Sequence, residues 1–230
     1  MSSVDAEHQT SKIVEAQHID EEVAACELDH VAWQSARPVH LTRYWSGADA
    51  PPARHAEARL IWTDDALCVR FAGHQNEPLV IGERPQSEQK TIGLWDRDVC
   101  EIFIAPDARV PERYFEFEAA PTGEWLDLAI HRMPDGQRET LWDFNSGMTT
   151  AARIAEGMVT IVMRLPFKSL TTLERWAPQF GARWRINLLR CVGANPDRGY
   201  LAWQPTHTAQ PDFHVPEKFG WLHFKGKNEG

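Results

Sequence analysis

The sequence has no excess of basic residues. Its 24 Lys and Arg are outnumbered by 33 Asp and Glu, which leaves a formal net charge of −9. A surface of that sign repels phosphate backbones and anionic lipids, so we expect neither nucleic acid nor a membrane as a partner. Long apolar runs are missing as well, since they reach only a few residues, whereas a helix that spans a bilayer needs about 20. The chain is therefore predicted to be soluble.

The N-terminal segment lacks the basic start and the apolar stretch of a secretory signal. The default expectation is a cytoplasmic protein, or a secreted or periplasmic one if a leader has been removed. Cysteine is scarce: Cys26, Cys68, Cys100 and Cys191 are far apart and form no Cys-x-x-Cys metal motif. We expect all four to be free thiols that pack as small, buried hydrophobic side chains.

Internal repeats, low-complexity tracts and Gly/Ser linkers do not occur, and the 15 prolines are spread along the chain. The simplest interpretation is one domain over residues 23–224. Residues 1–22 and the tail 225–230 fall outside the strand pattern and are expected to be loosely held. With 43% apolar residues the domain can build a substantial core. We also expect the protein to be a monomer.

Apolar residues recur mostly at every second position, which predicts strands. The runs 58–62 and 66–73 flank Thr63-Asp64-Asp65 and predict a hairpin; the runs 113–119 and 125–131 flank Pro121-Thr122-Gly123 and predict a second. Further strands are predicted at 99–104, 149–155, 158–165, 184–192, 200–203 and 221–224, and a short helix is predicted at 166–173. So many strands with so little helix favour an all-β fold, a jelly-roll-like sandwich of two antiparallel sheets. The alternating apolar positions should be buried: Leu67, Val69, Phe71, Ile102, Ile104, Ile161, Met163, Ile186 and Leu188.

Common enzyme signatures are missing. The chain has no Gly-x-Ser-x-Gly, no phosphate-cradling glycine loop and no His-Glu-x-x-His. A glycosidase needs two carboxyl groups on either side of a scissile bond, and the neighbours Asp96, Asp98 and Glu101 supply one side only. Aromatic rings are abundant, with ten Trp and ten Phe against three Tyr. Such rings fill a sandwich core or form platforms under a flat ligand.

Residues 93–104 bring a ring and a carboxylate close together in sequence. Trp95 lies in a polar loop that leads into a strand. Alternation along that strand turns Cys100 and Ile102 toward the core and Glu101 toward the opposite face, together with Phe103. A ring can cover the apolar C–H face of a pyranose while a carboxylate accepts hydrogen bonds from its hydroxyl groups. The alternative is that Trp95 packs within its loop as a structural residue and Glu101 is an ordinary solvated side chain.

The long loop before the last predicted strand carries His207, Asp212, His214 and Glu217. These residues could supply a zinc site, although loop spacing alone fixes no geometry, and structural or solvated roles are the alternative. Asp98 and Glu101 are acidic neighbours suited to calcium, yet no run of oxygen ligands of the EF-hand type occurs. We therefore expect no metal, with calcium as the alternative.

Motifs spread along the chain follow a definite order. They are Trp33, the hairpin around Thr63-Asp64-Asp65, Trp95-Asp-x-Asp-x-x-Glu-Ile-Phe-Ile, Tyr114-Phe-Glu-Phe, Trp184-Arg-Ile-Asn-Leu-Leu-Arg, Trp203-Gln-Pro and Phe213-His-x-Pro-Glu-x-Phe-Gly-x-Leu-x-Phe. In this order and spacing they resemble the family 9 carbohydrate-binding module and its stand-alone bacterial relatives, over roughly residues 25 to 224. The resemblance implies a DOMON-like β-sandwich that binds the end of a glycan without catalysis.

The resemblance also implies a site in which two facing aromatic rings clamp a terminal sugar. Trp95 resembles the first ring, Glu101 the carboxylate six residues later, and Phe213 the second ring, where Phe stands in place of the larger Trp. Arg190 and Asn187 are the candidates for the polar rim, and Asp98 and His214 complete the set of candidate ligand-binding residues. Two alternatives remain open: a haem-binding DOMON-like domain, which would use some of the five Met and ten His, and a sugar-active enzyme that uses loop His and carboxylate groups.

Overall fold

The computed structural model describes residues 12–170 and 178–226. The described part is all-β, as the sequence predicts, with short 3-10 turns as its only helical elements. The strands are β1 (Ile13–His18), β2 (Val39–Leu41), β3 (Ala56–Trp62), β4 (Ala66–His74), β5 (Val99–Ala105), β6 (Arg113–Ala119), β7 (Trp125–Arg132), β8 (Arg138–Leu141), β9 (Thr149–Ala155), β10 (Met158–Pro166), β11 (Arg183–Val192), β12 (Gly199–Ala202) and β13 (Gly220–Lys225).

Hydrogen bonds join these strands into one long sheet that does not close on itself. Its order is β8-β7-β6-β5-β11-β13-β1-β3-β4-β10-β9, with β12 added beside β11 and β2 beside β3. The two halves of this path face each other, so the fold is a β-sandwich. The strand β1 connects the halves, because it pairs in parallel with β13 on one side and with β3 on the other. The remaining pairs are antiparallel, including the two predicted hairpins β3–β4 and β6–β7.

Four elements differ from the sequence prediction. Residues 1–22 were expected to lie outside the strand pattern, which is wrong for 13–18, since β1 lies inside the sheet; residues 1–11 are outside the described residues. The short strands β2 and β8 were not predicted. Of the helix predicted at 166–173, the structure has the 3-10 turn Phe167–Ser169, and positions 171–173 lie outside the described residues.

The main core lies between the two halves of the sandwich. It joins buried residues of β3, β4 and β10 to buried residues of β5, β6 and β11, and it contains all nine positions that the alternation predicted to be buried. A second hydrophobic cluster covers the outer face of β5, β6, β7 and β11 and includes Phe103, Tyr114, Leu128, Leu189 and Phe213. An outer face with an apolar cluster of its own is unusual for a sandwich open to water, and this face carries the candidate site.

All four cysteines are unpaired thiols. Cys68, Cys100 and Cys191 are buried as expected, but Cys26 is exposed, because it lies in a turn that precedes the 3-10 turn Val31–Ser35. In the part of the chain that the structure describes, no helix combines the length and the apolar character needed to cross a bilayer.

Candidate functional site

A cleft of about 970 Å³ opens on the outer face of β5, β6 and β7. Three irregular segments surround it: the loop before β5, the region from the β7–β8 turn to just beyond β8, and the loop that precedes β13. Four of the seven predicted ligand-binding residues line this cleft: Trp95, Glu101, Phe213 and His214. The two rings predicted to clamp a ligand therefore share one cleft, although 118 positions separate them in the sequence.

Local backbone geometry directs Trp95 into the cleft. Gly93 adopts a left-handed conformation with φ of 82°, which a residue with a Cβ seldom tolerates, and it begins the 3-10 turn Leu94–Asp96. Leu94 is fully buried and anchors this turn. Arg198 holds the loop from the other side, because its guanidinium donates a hydrogen bond to the Trp95 carbonyl at 2.9 Å and lies over the Tyr200 ring. Trp95 itself remains partly exposed.

The cleft contains two pairs of rings. Trp95 contacts Trp142 with ring centroids 6.3 Å apart and planes at 49°, and Phe213 contacts Tyr200 edge-on at 6.3 Å. Trp142 is 50% exposed, whereas Phe213 is 8% exposed and presents little of its ring to a ligand. Trp142 and Tyr200 are not among the residues predicted from the sequence. The signal for Trp142 is a large ring in the polar stretch that follows β8, and it is weak, because single exposed apolar side chains are ordinary on protein surfaces.

Glu101 points into the cleft face, as the strand alternation predicts, with Val99 and Phe103. The alternative of an ordinary solvated side chain is wrong, because Glu101 is only 2% exposed. Burial, and secondly the nearby Glu116, raise the pKa of Glu101 to about 8. The Cys191 thiol lies 3.3 Å from a Glu101 carboxylate oxygen and donates to it. Near neutral pH this carboxyl group therefore exists in both protonation states.

Two more buried glutamates accompany Glu101. Glu118 lies directly opposite Glu101 in the β5–β6 register, and Glu116 lies two residues before Glu118 on the same face of β6. Glu116 lines the cleft, and Glu118 is fully buried. Burial raises the pKa of Glu116 to about 7, and it raises the pKa of Glu118 as well. The sequence analysis did not identify Glu116 and Glu118 as candidate residues.

His214 is held in the cleft wall by its neighbours. Its Nδ1 lies 2.8 Å from the Tyr114 hydroxyl, and its ring contacts Phe103 at 5.0 Å. The Asp212 carboxylate accepts a hydrogen bond from the His214 backbone N–H at 2.9 Å, which fixes the loop. Burial, reinforced by the positive charges of Arg138 and Arg132, lowers the pKa of His214 to about 3. The imidazole is therefore neutral at physiological pH.

The structure does not bring Asp98, Asn187 or Arg190 into the cleft. Asp98 accepts hydrogen bonds from the backbone N–H groups of Gly193 and Val80, at 2.8 and 3.3 Å. Asn187 shares the cleft face of β11 but is fully buried, because its amide bonds to the backbone of the segment that begins at Gln204. The expected polar rim of Asn187 and Arg190 is therefore not formed.

Arg190 is directed away from the cleft. It alternates with Leu189 and Cys191, which belong to the cleft-side cluster, so its side chain lies on the opposite face of β11. Its guanidinium donates to backbone carbonyl groups of Arg54, His55 and His74. Burial lowers the pKa of Arg190. The side chain thus fastens the two halves of the sandwich together at one end.

The four loop residues considered for zinc do not converge. Nδ1 of His207 lies 2.9 Å from the Ser46 carbonyl, and Glu217 pairs with Arg132 at 2.6 Å. Among the described residues, one group of at least three His, Cys, Asp or Glu side chains has its ligand atoms close enough for a metal, and it consists of Glu101, Glu116 and Glu118. Asp98, considered with Glu101 for calcium, is not part of it.

Comparison with known proteins places this geometry in a family. A search of curated protein sequences finds no relative of the chain. Solved structures share its fold at low sequence identity. A "putative carbohydrate-binding protein" from Bacteroides uniformis has a TM-score of 0.73 at 16% identity and covers 93% of this chain and 99% of its own.

Two further structures show a family 9 carbohydrate-binding module from Caldicellulosiruptor kristjanssonii. One, in complex with cellotriose, has a TM-score of 0.62 at 13% identity and covers 94% of this chain and 95% of its own. The other, in complex with glucose, has a TM-score of 0.57 at 15% identity, with coverage of 95% and 98%. The family model described as carbohydrate family 9 binding domain-like matches residues 26–227, which is nearly the whole chain. The chain therefore belongs to the carbohydrate family 9 binding domain-like family.

Proposed function

We propose that this protein binds carbohydrate, without catalysis, in the cleft between the Trp95–Trp142 and Tyr200–Phe213 ring pairs. The observation that carries the proposal is the shared cleft: rings from segments far apart in sequence meet above carboxyl groups. Apolar ring faces suit the C–H face of a sugar, and carboxyl groups suit its hydroxyl groups. The related modules bound to cellotriose and to glucose support the same ligand class.

In this arrangement Trp142 is the principal platform. It is half exposed, so a sugar can stack on it without displacing protein atoms, and its contact with Trp95 holds it at the cleft edge. Glu101 lies deeper, and its carboxyl group hydrogen-bonds a sugar hydroxyl group in a partly dry environment. Such a bond contributes about 0.5–1.5 kcal/mol when the carboxyl group is neutral and about 1.5–3 kcal/mol when it is ionised. Phe213 is 8% exposed and contacts Tyr200 edge-on, so it forms part of the cleft wall and offers little ring surface for stacking.

The test is calorimetric titration of the full chain with cellotriose and then with a panel of other oligosaccharides. A central ring at an interface is commonly worth about 2 kcal/mol or more when truncated to alanine. Trp142→Ala and Trp95→Ala should therefore weaken binding by at least about tenfold. The matched control is Trp221→Ala, which removes a partly exposed Trp on β13 that packs under Arg185 and lies outside the cleft.

Equal losses of affinity in all three variants would show that the rings serve the fold and not the ligand. Unchanged affinity in both cleft variants would place the sugar elsewhere. Chromatography of the titrated cellotriose distinguishes binding from catalysis, since a sugar-active enzyme would shorten it. A visible spectrum of the purified protein tests the haem alternative, because haem gives an intense Soret band.

A further inference from the structure

The chain segment that carries Trp142 belongs to no strand. β8 ends at Leu141 and β9 begins at Thr149, so Trp142 lies at the start of an irregular connection. Its ring is half exposed and contacts Trp95 at the cleft edge. Because packing covers only part of the ring, the hydrogen bonds of the connection 142–148 contribute much of what fixes its position.

The ammonium group of Lys90 binds this connection from a loop 52 positions earlier in the sequence. Its Nζ donates hydrogen bonds to the carbonyl group of Trp142 at 3.3 Å and to the carbonyl group of Phe144. It also donates to the Asp127 carbonyl group on β7 at 2.9 Å. An ammonium group has three donors and no acceptor, which suits it to a place where carbonyl oxygens converge. The pairing of β7 with β8 ends just before this point, so Lys90 continues the contact between the two chain segments beyond the last strand pair.

The Asp127 side chain joins Lys90 to a second point of the same connection. One of its carboxylate oxygens forms an ion pair with Lys90 Nζ at 2.6 Å. The other accepts hydrogen bonds from the backbone N–H and the hydroxyl group of Ser146, at 2.6 and 2.7 Å. Asp127 is fully buried, and a buried carboxylate without a cation is costly, so Asp127 in turn keeps the ammonium group in this place.

We propose that Lys90 is a positioning residue of the carbohydrate site, whose ammonium group sets the place and the orientation of the Trp142 ring at the cleft edge. Lys90 is not one of the residues that line the cleft, so it acts through Trp142 and not by touching the sugar. The effect on binding rests on the proposed function, whereas the placement of the ring can be tested without any sugar. If Lys90 only neutralised Asp127, its removal would lower stability and have no effect specific to Trp142.

The first experiment is a double-mutant cycle on the full chain, with the affinity for cellotriose, or for the oligosaccharide that the unaltered chain binds most tightly, measured by calorimetry. Lys90→Met keeps a side chain of similar length and removes its charge and its donors. It should weaken binding by at least about fivefold. In the Trp142→Ala background the same substitution should change the affinity by less than about twofold, because the ring through which Lys90 acts is gone. An unchanged affinity, or equal losses in the two backgrounds, overturns the effect on binding.

The second experiment needs no sugar. The tryptophans are labelled with fluorotryptophan, and the fluorine resonance of Trp142 is assigned by its loss in Trp142→Phe. Lys90→Met should shift this resonance, and the control Arg54→Met should leave it in place. Arg54 is matched because its guanidinium also pairs with a carboxylate, that of Glu77 at 2.8 Å, and donates to the Tyr44 hydroxyl group, while it lies outside the cleft.

The two experiments separate this inference from the proposed function. If no oligosaccharide binds the unaltered chain, the proposed function fails, and the fluorine spectra alone decide whether Lys90 positions Trp142. A Trp142 resonance that stays in place in Lys90→Met, or that moves equally in Arg54→Met, overturns the positioning role whether or not sugar binds. If Lys90→Met fails to fold, Lys90→Met combined with Asp127→Asn takes its place in both experiments, because the pair leaves no buried charge without a partner and keeps an acceptor for Ser146.

Discussion

Replacing Arg190 with methionine is expected to destabilise the protein and leave the cleft intact. Arg190 is 3% exposed, and its guanidinium is packed against the backbone so closely that a Cβ on Gly73 would lie 2.4 Å from its Nη1. The acceptors of its hydrogen bonds are the carbonyl groups of Arg54 at 3.0 Å, His55 at 3.2 Å and His74 at 2.6 Å, and the side-chain oxygen of Gln75 at 3.0 Å. Methionine has a similar length but donates nothing.

The magnitude follows from these bonds. A buried acceptor left without a donor costs about 1–3 kcal/mol. The His55 carbonyl still accepts from the His74 backbone N–H at 3.0 Å, so the carbonyl groups of Arg54 and His74 give a loss of about 2–6 kcal/mol. The substitution also removes the cost of desolvating the Arg190 guanidinium, which offsets part of this loss of stability. We expect a net destabilisation of about 3 kcal/mol. In a domain of this size each kcal/mol shifts the melting temperature by about 2–4 °C, so the variant should melt about 6–12 °C lower.

Urea unfolding, followed by tryptophan fluorescence, measures this free energy, and calorimetry measures the melting temperature. Arg109→Met is the control, because it removes an exposed arginine that pairs with Asp107 at 2.6 Å. That surface pair is worth at most about 1 kcal/mol. The reasoning is refuted if the free energy of unfolding falls by the same small amount in both variants. It is also refuted if Arg190→Met abolishes carbohydrate binding at an unchanged melting temperature, since the side chain would then act in the cleft.

Two further predictions concern titration and thiol reactivity. The pKa of His214, about 3 in the folded state, lies below the unfolded value of 6.5, so stability is retained above pH 6.5 and is lost as the pH falls toward 3. The raised pKa values of Glu101 and Glu116 act equally on both proteins, so His214 is isolated by comparison with His214→Asn, which keeps an acceptor near the Tyr114 hydroxyl. Between pH 7 and pH 5 the stability of the unaltered chain should fall by about 1–2 kcal/mol relative to that of His214→Asn; urea unfolding of both proteins at both pH values measures this, and an equal change in both contradicts the reasoning. In native buffer Ellman's reagent should modify one thiol, the exposed Cys26, and the three buried cysteines should react only after denaturation. Rapid reaction of all four thiols in native buffer would contradict the burial of three of them. Fewer than four reactive thiols after denaturation without reductant would contradict their assignment as free thiols.

The fold was predictable wherever burial follows a local pattern. Both hairpins and most strands carry apolar residues at every second position, and turn residues lie between them. In the strand β1 the alternation is limited to Val14 and Ala16, and the polar residues that follow are nonetheless buried, Gln17 at 9% and His18 at 7%. Their burial comes from β13 and β3 on either side, which lie far away in sequence. Burial that depends on partner strands far away in the sequence cannot be predicted from the neighbouring residues alone.

The site was predictable in part, for a similar reason. Trp95 and Glu101 were found because a ring in a polar loop and the parity of a strand are both local features. Asn187 and Arg190 were misassigned because a polar side chain that satisfies buried backbone groups looks, in sequence, the same as one that awaits a ligand. The structure reveals the first role through hydrogen bonds: every polar group of Asn187 has a protein partner, and the Arg190 guanidinium donates to backbone carbonyl groups.

Glu116 and Glu118 show where parity alone misleads. The run Phe115-Glu116-Phe117-Glu118-Ala119 alternates like a strand with one face in the core and one in water. Here the polar face is buried too, because β6 is flanked by β5 and β7 and the loop before β13 covers its outer side. The same loop supplies Phe213 and His214, and His214 and Phe219 contact Tyr114 on the outer side of β6, so the aromatic wall of the cleft and part of the cover over β6 have a single cause. Any change that opened this loop would therefore expose Tyr114 to water and remove a ring pair from the cleft at the same time.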